Sequence, residues 1–326
     1  MSKIRIVEYS PEAATEWSSF VQSSRNGMFL FERDFMDYHS DRFADFSLMI
    51  YEGTRLLAVL PLNRVGSEVY SHGGLTFGGM VFENKMSSSK MIEVFLEVSS
   101  FLLSKGLDKL TYKAIPHIYH SMPSQEDLYC LTLMGANLVR RELSSVIDYR
   151  DVASMSTNRK RILKKSHKYP IEVVKSQSFE RYWLLLESVV SKYGVRPTHT
   201  HDEIKLLAAR FPNSIHLYEA ELDGELQAGV VVFDNKHVVH TQYLATSESG
   251  KENGALDLIL SKLISEYQGE RRYFSFGIST ENAGQYLNMG LVRQKEGFGA
   301  RTIVHDTYEV SLDTAKLKLE AFSEQV

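Results

Sequence analysis

A single cysteine, Cys130, occurs in a chain of 326 residues. Its isolation excludes an intramolecular disulfide framework and any cysteine-rich metal site, and it fits a reducing compartment. A dominant charge is lacking as well. The formal net charge is -4, so the surface as a whole is not built to grip nucleic acid, although a local patch is compatible with it. No apolar run approaches the ~18–20 residues that span a bilayer, and Met1 to Val7 carry no apolar core of signal-peptide length before Pro11. These absences lead us to expect a soluble, cytoplasmic protein. The composition, 43% hydrophobic and 24% charged, is that of a globular chain with room for two ordinary domains or one large one.

Residues 4–8 read as a strand and 13–23 as a helix with Trp17, Phe20 and Val21 inward. Phe29, Phe31, Phe35, Tyr38, Phe43 and Phe46 suit a core better than a pocket. Strands over 46–51 and 56–62 flank Glu52-Gly53-Thr54-Arg55, a hairpin by turn chemistry. Four glycines between Ser71 and Gly79 permit unusual backbone angles or close approach to a ligand. Their spacing matches no phosphate loop, so a bend serves equally well. A helix over 91–104 and a strand over 108–114 follow. The second half runs through the same order: strands 215–220 and 226–233 around Asp223-Gly224, a strand 238–245, a helix 255–267 and a strand 272–277. Matching elements are offset by roughly 165–170 residues, half the chain. The fold class expected is α/β (α+β), two copies of a mixed, twisted sheet flanked by helices. They cover 1–155 and 156–311, followed by an amphipathic or frayed tail, 312–326.

Between the copies, Asn158 to Lys168 is the most basic stretch. On a helix, Ile162 and Leu163 anchor one side while Arg159, Lys160, Lys164 and Lys168 occupy the other, either as a solvated face or as a dock for phosphates. In the second copy, Gly250 to Ala255 precedes the apolar helix, the place where free N–H groups receive a phosphate. Thr200 and Glu203 form a capping box for a helix over 201–210. His199 and His201 lie beside that helix N-terminus, where a neutral imidazole is favoured. They are too close together and too unsupported for zinc, and no metal is expected. Alternation along Val238 to Tyr243 puts His240 and Gln242 on one face and Thr241 and Tyr243 on the other, and either face can look into the cleft. Glu281 follows a strand end, where ligand-facing groups of α/β sheets gather.

Three segments carry a family likeness: Tyr273-Phe274-Ser275-Phe276-Gly277-Ile278-Ser279-Thr280-Glu281, Leu287-Asn288-Met289-Gly290-Leu291 and Gln294-Lys295-Glu296-Gly297-Phe298-Gly299. With Pro197-Thr198-His199-Thr200 they resemble the double-GNAT proteins of the FemAB-like group, N-acyltransferases and aminoacyl transferases, in a branch associated with bacterial surface polysaccharide. The likeness spans most of the chain and is strongest over 195–310. It implies two tandem GNAT-like units. Asn84 to Ser89, before the first unit's helix, has no glycine, so that unit is the degenerate copy on the acceptor side. The second is the acyl-CoA side.

The resemblance further implies acetyl-CoA or another acyl-CoA held by Leu244, Ala245, Gly250, Lys251, Asn253, Gly254 and Ala255. Lys251 departs from the usual loop pattern. It implies substrate contacts from Arg159, Lys160, His240, Gln242, Lys295, Phe298 and Arg301. Catalytic candidates are His199 as base, Glu203 as its orienter, Tyr243 and Glu281. The expected acceptor is an amino group, plausibly of a nucleotide-linked amino sugar. The alternatives are a FemX-type transferase that uses aminoacyl-tRNA on a peptidoglycan precursor, less favoured because the long helical arm is absent, and a non-catalytic nucleotide-sugar or CoA-binding protein. Oligomeric state is left open.

Overall fold

Short turns rich in glycine and aspartate start an antiparallel hairpin in each half of the chain. The computed structural model describes residues 3–325; Met1, Ser2 and Val326 lie outside the described residues. The chain divides into two units, one built from residues up to Glu142 and from Val304 on, the other from Leu143–Ile303. The simple division at 155/156 is thereby corrected, and the tail joins the first unit as the amphipathic helix, not the frayed end. Helix Leu312–Ser323 buries Leu312, Ala315 and Leu319 in the first unit's core, against helix Ser88–Ser104. Its apolar stripe has a partner, and a frayed end would leave that stripe in water.

In the first unit, Ile4–Glu8, Leu48–Glu52, Arg55–Leu60 and Val81–Phe82 line up in that order, each antiparallel to the next. Glu68–Tyr70 runs parallel to Lys109–Lys113. Met91, Val94, Phe95, Val98 and Leu102 of the long helix fill the core at helical spacing. Phe29, Phe31 and Phe35 of the aromatic cluster are buried. Below them in sequence, Tyr112 Oη donates to Asp127 Oδ2 at 2.6 Å and accepts from the Met80 N–H at 2.7 Å, and all three residues are buried. Burial pushes the Asp127 carboxyl up to about 6.

The second unit orders its strands Glu172–Ser176, Ile215–Leu222, Glu225–Asp234, Val238–Thr246 and Tyr273–Ile278, with the end of Asn137–Asp148 outermost. All neighbours are antiparallel except Val238–Thr246 and Tyr273–Ile278, which are parallel. Helix Ala255–Glu266 covers one face with Ile259, Leu260 and Leu263 against Val230, Val232, Val239 and Phe274. Helix Phe179–Val190 covers the other with Tyr182, Trp183 and Leu186, followed by helix His201–Arg210. Each face is apolar because a sheet buried on both sides exposes neither.

The two units differ in one strand. In the second unit, Val238–Thr246 pairs with Tyr273–Ile278 on one edge and Glu225–Asp234 on the other. In the first, these roles are split between Glu68–Tyr70 and Val81–Phe82, with the glycine-rich run 71–79 between them. That run is sewn to strand Lys109–Lys113. Lys113 N–H donates to Ser71 Oγ at 2.7 Å, its Nζ donates to the carbonyls of His72 (2.7 Å) and Leu75, and the Gly78 N–H donates to the Lys113 carbonyl at 3.1 Å. Close packing accounts for these glycines: a Cβ on Gly78 would stand 1.8 Å from the Ser71 carbonyl and one on Gly74 2.1 Å from His39 Nε2.

Tyr112→Phe would leave Asp127 Oδ2 without its donor and the Met80 N–H without its acceptor in a dry core. We expect a loss of about 2–4 kcal/mol in urea unfolding, and a loss within experimental error would show that water reaches this cluster.

Candidate functional site

Strands Val238–Thr246 and Tyr273–Ile278 stay together for three rows, Val238 with Tyr273, Val239 with Phe274 and His240 with Ser275, and pair no further. Two local irregularities drive them apart. Tyr243 faces Val231 and Thr241 faces Val232, so Gln242 is an extra residue, a β-bulge that bends its strand. On the other strand the register slips between Ser275 and Ile278, around Gly277. Gly277 has φ +71°, and a Cβ there would sit 3.0 Å from His240 Cε1, so glycine alone fits the bend without strain.

The bulge corrects the expected alternation. His240 and Tyr243 share a face, paired with Phe233 and Val231, while Thr241 points to the other side. Beyond His240 the edge of the strand, with Tyr243, Leu244 and Ala245, has no ladder partner across the gap.

A cavity of about 160 Å³ occupies this wedge on the side of helix Ala255–Glu266. Leu244 and Phe276 come from the parted strands, Leu256 and Leu260 from that helix, and Leu291, Gln294 and Lys295 from helix Met289–Gly297. Phe298 closes the floor, stacked on Phe276 at 5.8 Å between ring centres. Lys295 is buried. Its Nζ donates to the carbonyls of Gly277 at 2.9 Å and Ile278 at 2.6 Å. This ties down the free end of the bent strand, and the phosphate contact expected for Lys295 is replaced by backbone carbonyls. Burial brings the ammonium down to about 8.

On the opposite face of the same strand stands a polar pair. His199 Nδ1 lies 2.5 Å from Tyr243 Oη, which also accepts from the His199 N–H at 3.2 Å. Trp183 meets the Tyr243 ring edge-on at 5.2 Å. Burial pushes the Tyr243 phenol up, partly offset by the hydrogen bond from the His199 backbone. When Nδ1–H donates to Oη, the lone pair sits on Nε2, the form a general base requires. His199 also lines a pocket of about 380 Å³ with Glu187, Val190, Arg196 and Pro197. Glu203 is held in the capping box. Its Oε2 accepts from the Thr200 N–H at 2.8 Å, and its own N–H donates to Thr200 Oγ at 3.2 Å.

The expected phosphate loop takes another form. Residues 248–253 are a short helix capped by Ser247, and Gly254 (φ +79°) joins it to helix Ala255–Glu266. Ser247 Oγ accepts from the Gly250 N–H at 2.9 Å, and Asn253 Oδ1 from the Ala255 N–H at 3.0 Å. A Cβ on Gly250 would stand 2.1 Å from the Gln227 carbonyl, so this glycine allows a helix to touch a strand. Gly250, Asn253, Gly254 and Ala255 are therefore buried packing residues, while Lys251 is exposed and pairs with Glu248 at 2.9 Å.

Other candidates scatter. Arg159 pairs with Asp257 at 2.6 Å and lies over the Phe298 ring at 5.4 Å, which braces the cavity from behind. Lys160 is exposed. So are Glu281, which accepts from Asn288 Nδ2 at 2.7 Å, and Arg301, which donates to the Ala300 carbonyl at 2.7 Å. Phe276, Leu256, Leu260 and Leu291 went unnoticed in the sequence because apolar residues at core spacing give no sign of lining a cavity.

The acetyltransferase (GNAT) domain family matches residues 156–286, which include the parted strands, helix Ala255–Glu266 and the His199 loop but stop before helix Met289–Gly297. The second unit is thus similar to GNAT acetyltransferase domains over most of its length. The whole chain carries a tandem GNAT-like fold, as its structural likenesses show. FemX superposes with a TM-score of 0.67 over 97% of this chain and 99% of its own, at 10% identity. L-PGS from Bacillus licheniformis gives 0.61 over 95% and 98% at 12% identity. A tandem GNAT protein from the clavulanic acid biosynthesis pathway gives 0.52 over 95% and 99%, also at 12%. No curated protein matches the sequence significantly. Among the described residues, no helix is long and apolar enough to cross a membrane.

Lys295 supplies a test of the wedge. Its folded pKa of about 8 lies below the ordinary lysine value of 10.5, so the unfolded chain binds more protons between those limits and stability rises with pH there. Wild type should gain on Lys295→Met between pH 8 and 10.5 in urea unfolding. A constant difference would mean that the ammonium is solvated.

Proposed function

We propose that this chain is a cytoplasmic N-acyltransferase. It moves an acetyl or other acyl group from acyl-CoA to an amino group, with a nucleotide-linked amino sugar of surface polysaccharide as the acceptor class. One observation carries the reading: a single strand presents an apolar cavity on one face and the His199–Tyr243 pair on the other, exactly where the sheet is open between them.

The residues of the wedge suit the thioester end of the donor. Leu244, Leu256, Leu260 and Phe276 offer apolar contact to a chain without charge. The unpaired edge at Tyr243, Leu244 and Ala245 offers backbone groups to its amides and to the acyl carbonyl. The 380 Å³ pocket beside His199 takes the acceptor, with Glu187 and Arg196 on its wall to meet charged substituents.

The chemistry then follows from the pair. An amine is protonated at neutral pH and attacks only after losing a proton. His199 Nε2 takes that proton while Tyr243 holds the ring through Nδ1. The nitrogen lone pair forms a bond to the acyl carbon, backbone N–H groups of the strand meet the negative charge that develops on oxygen, and the C–S bond breaks. The departing thiolate takes up a proton from solvent. Glu203 supports this by fixing the helix start that follows His199, and makes no contact with substrate.

A second reading has its own observation. Lys160, Lys164, Lys165 and Lys168 are exposed on and just beyond helix Thr157–Ser166, and none of them makes an ion pair among the described residues. Such a face suits the phosphates of an RNA-borne donor, as in aminoacyl transfer from charged tRNA to a peptidoglycan precursor.

Thiol release from acetyl-CoA across a panel of amino-sugar nucleotides tests the first reading. Aminoacyl transfer from charged tRNA without acetyl-CoA turnover would establish the second, and retained ligand without either turnover would mark a binding protein. In an active protein, His199→Ala should lower kcat roughly 10²–10³-fold. Leu260→Trp should fill the wedge and raise KM for acyl-CoA at least tenfold while leaving KM for the amine unchanged. Equal kinetics for Leu260→Trp and wild type would move the donor elsewhere.

A further inference from the structure

Where helix Phe179–Val190 lies on the sheet, Tyr182 Oη, Trp183 Nε1 and Glu219 Oε1 are buried with no hydrogen-bond partner among the described residues. Tyr182 is fully buried and Glu219 is 1% exposed. A carboxylate oxygen and a phenol are rarely left this way in a protein interior, and an internal water is their usual partner.

The strand register places these groups. Glu219 faces Gly229, which faces Ala245, and one step along, Leu217 faces Val231, which faces Tyr243. Side chains opposite one another across a ladder share a face, as do residues two apart in a strand. Glu219 and Tyr243 thus stand on the same side of the sheet, two strands apart, with Gly229 between them. The Tyr182 ring fills the space that Gly229 leaves, since a Cβ there would lie 2.3 Å from Tyr182 Cδ2. Tyr243 and Glu219 both act electrostatically on the Tyr182 phenol.

Glu219 also connects outward. Its Oε2 accepts from Arg181 Nη2 at 3.0 Å, and the same guanidinium bonds Glu221. The Arg181 side chain is 40% exposed and that of Glu221 28%, so the far end of the row is wet.

We propose that buried water joins Tyr182 Oη to Glu219 Oε1 and carries protons between the His199–Tyr243 pair and the solvent beside Arg181. The direction of flow rests on the acyl-transfer reading above. His199 Nε2 gains the proton of the acceptor ammonium, and the imidazolium passes its Nδ1 proton to Tyr243 Oη. Tyr243 releases its own hydroxyl proton to the water, and Glu219 receives a proton and yields it to solvent. His199 is then neutral with its proton on Nε2 and one proton has been exported; loss of the Nε2 proton to solvent and return of one to Nδ1 through Tyr243 restores the starting tautomer. Tyr182 and Glu219 are positioning residues in this scheme and touch neither substrate.

The test measures exchange of the His199 Nδ1 proton with solvent, by nitrogen-15 NMR on the full chain, beside steady-state kinetics. Tyr182→Phe and Glu219→Gln should each slow exchange roughly tenfold and lower kcat by a similar factor with both KM values unchanged. Glu221→Gln should leave both at wild-type values. Glu219→Gln keeps side-chain volume and serves where Tyr182→Phe fails to fold. Unchanged exchange in the folded variants overturns the relay whether or not the protein turns over. Slowed exchange in a protein that acylates no amine supports the relay and removes the acyl-transfer reading instead.

Discussion

The second unit depends on two parallel strands that part after three rows. Parallel neighbours in a buried sheet normally satisfy each other's backbone along their full length. Here the extra residue Gln242 turns one strand and the left-handed Gly277 turns the other, and the hydrogen bonds lost between them must be replaced. Lys295 replaces two of them by donating to the Gly277 and Ile278 carbonyls. The open edge of Tyr243 to Ala245 keeps the remainder available to a ligand. A cavity, a polar pair on the far face and a gap between them all follow from that one divergence.

Much of this arrangement could be read from the residues, and the rest could not for physical reasons. Helix starts are local, so Thr200 with Glu203 announced the capping box that the structure shows. Element order is also local, and the hairpins around Gly53 and Asp223-Gly224 stand where turn chemistry puts them. The bulge at Gln242 is a property of pairing with another strand, which alternation within one strand cannot reveal. It moved His240 to the same face as Tyr243. The glycines at 250 and 254 suggested a phosphate loop, because a close approach to a ligand and a close approach to a neighbouring strand demand the same residue. The C-terminal helix was legible as amphipathic, but not the partner that covers it.

Charge is used sparingly in the second unit's interior. The cavity is mostly hydrocarbon, with Gln294 and Lys295 on its wall, and the Lys295 ammonium donates to backbone carbonyls. Opposite, the groups able to move a proton sit in a phenol–imidazole contact, where neither partner need carry a formal charge at rest. Arg159, the one basic residue of its helix turned toward the cavity floor, is neutralised by Asp257, so its cation lies against Phe298 without adding a free charge beneath the wedge. The other cations of that helix remain outside.

A chain that carries one fold twice need not keep the same strand pairing in both copies, and this one does not. In the first unit, Lys113 reaches across to the carbonyls of His72 and Leu75 and holds nine residues of its own backbone where the second unit leaves a gap. The same kind of contact, a lysine ammonium on backbone carbonyls, thus seals one sheet and props the other. The halves have ceased to be interchangeable, since Lys113 ties a glycine-rich run to its own strand in one while a strand edge is left open in the other.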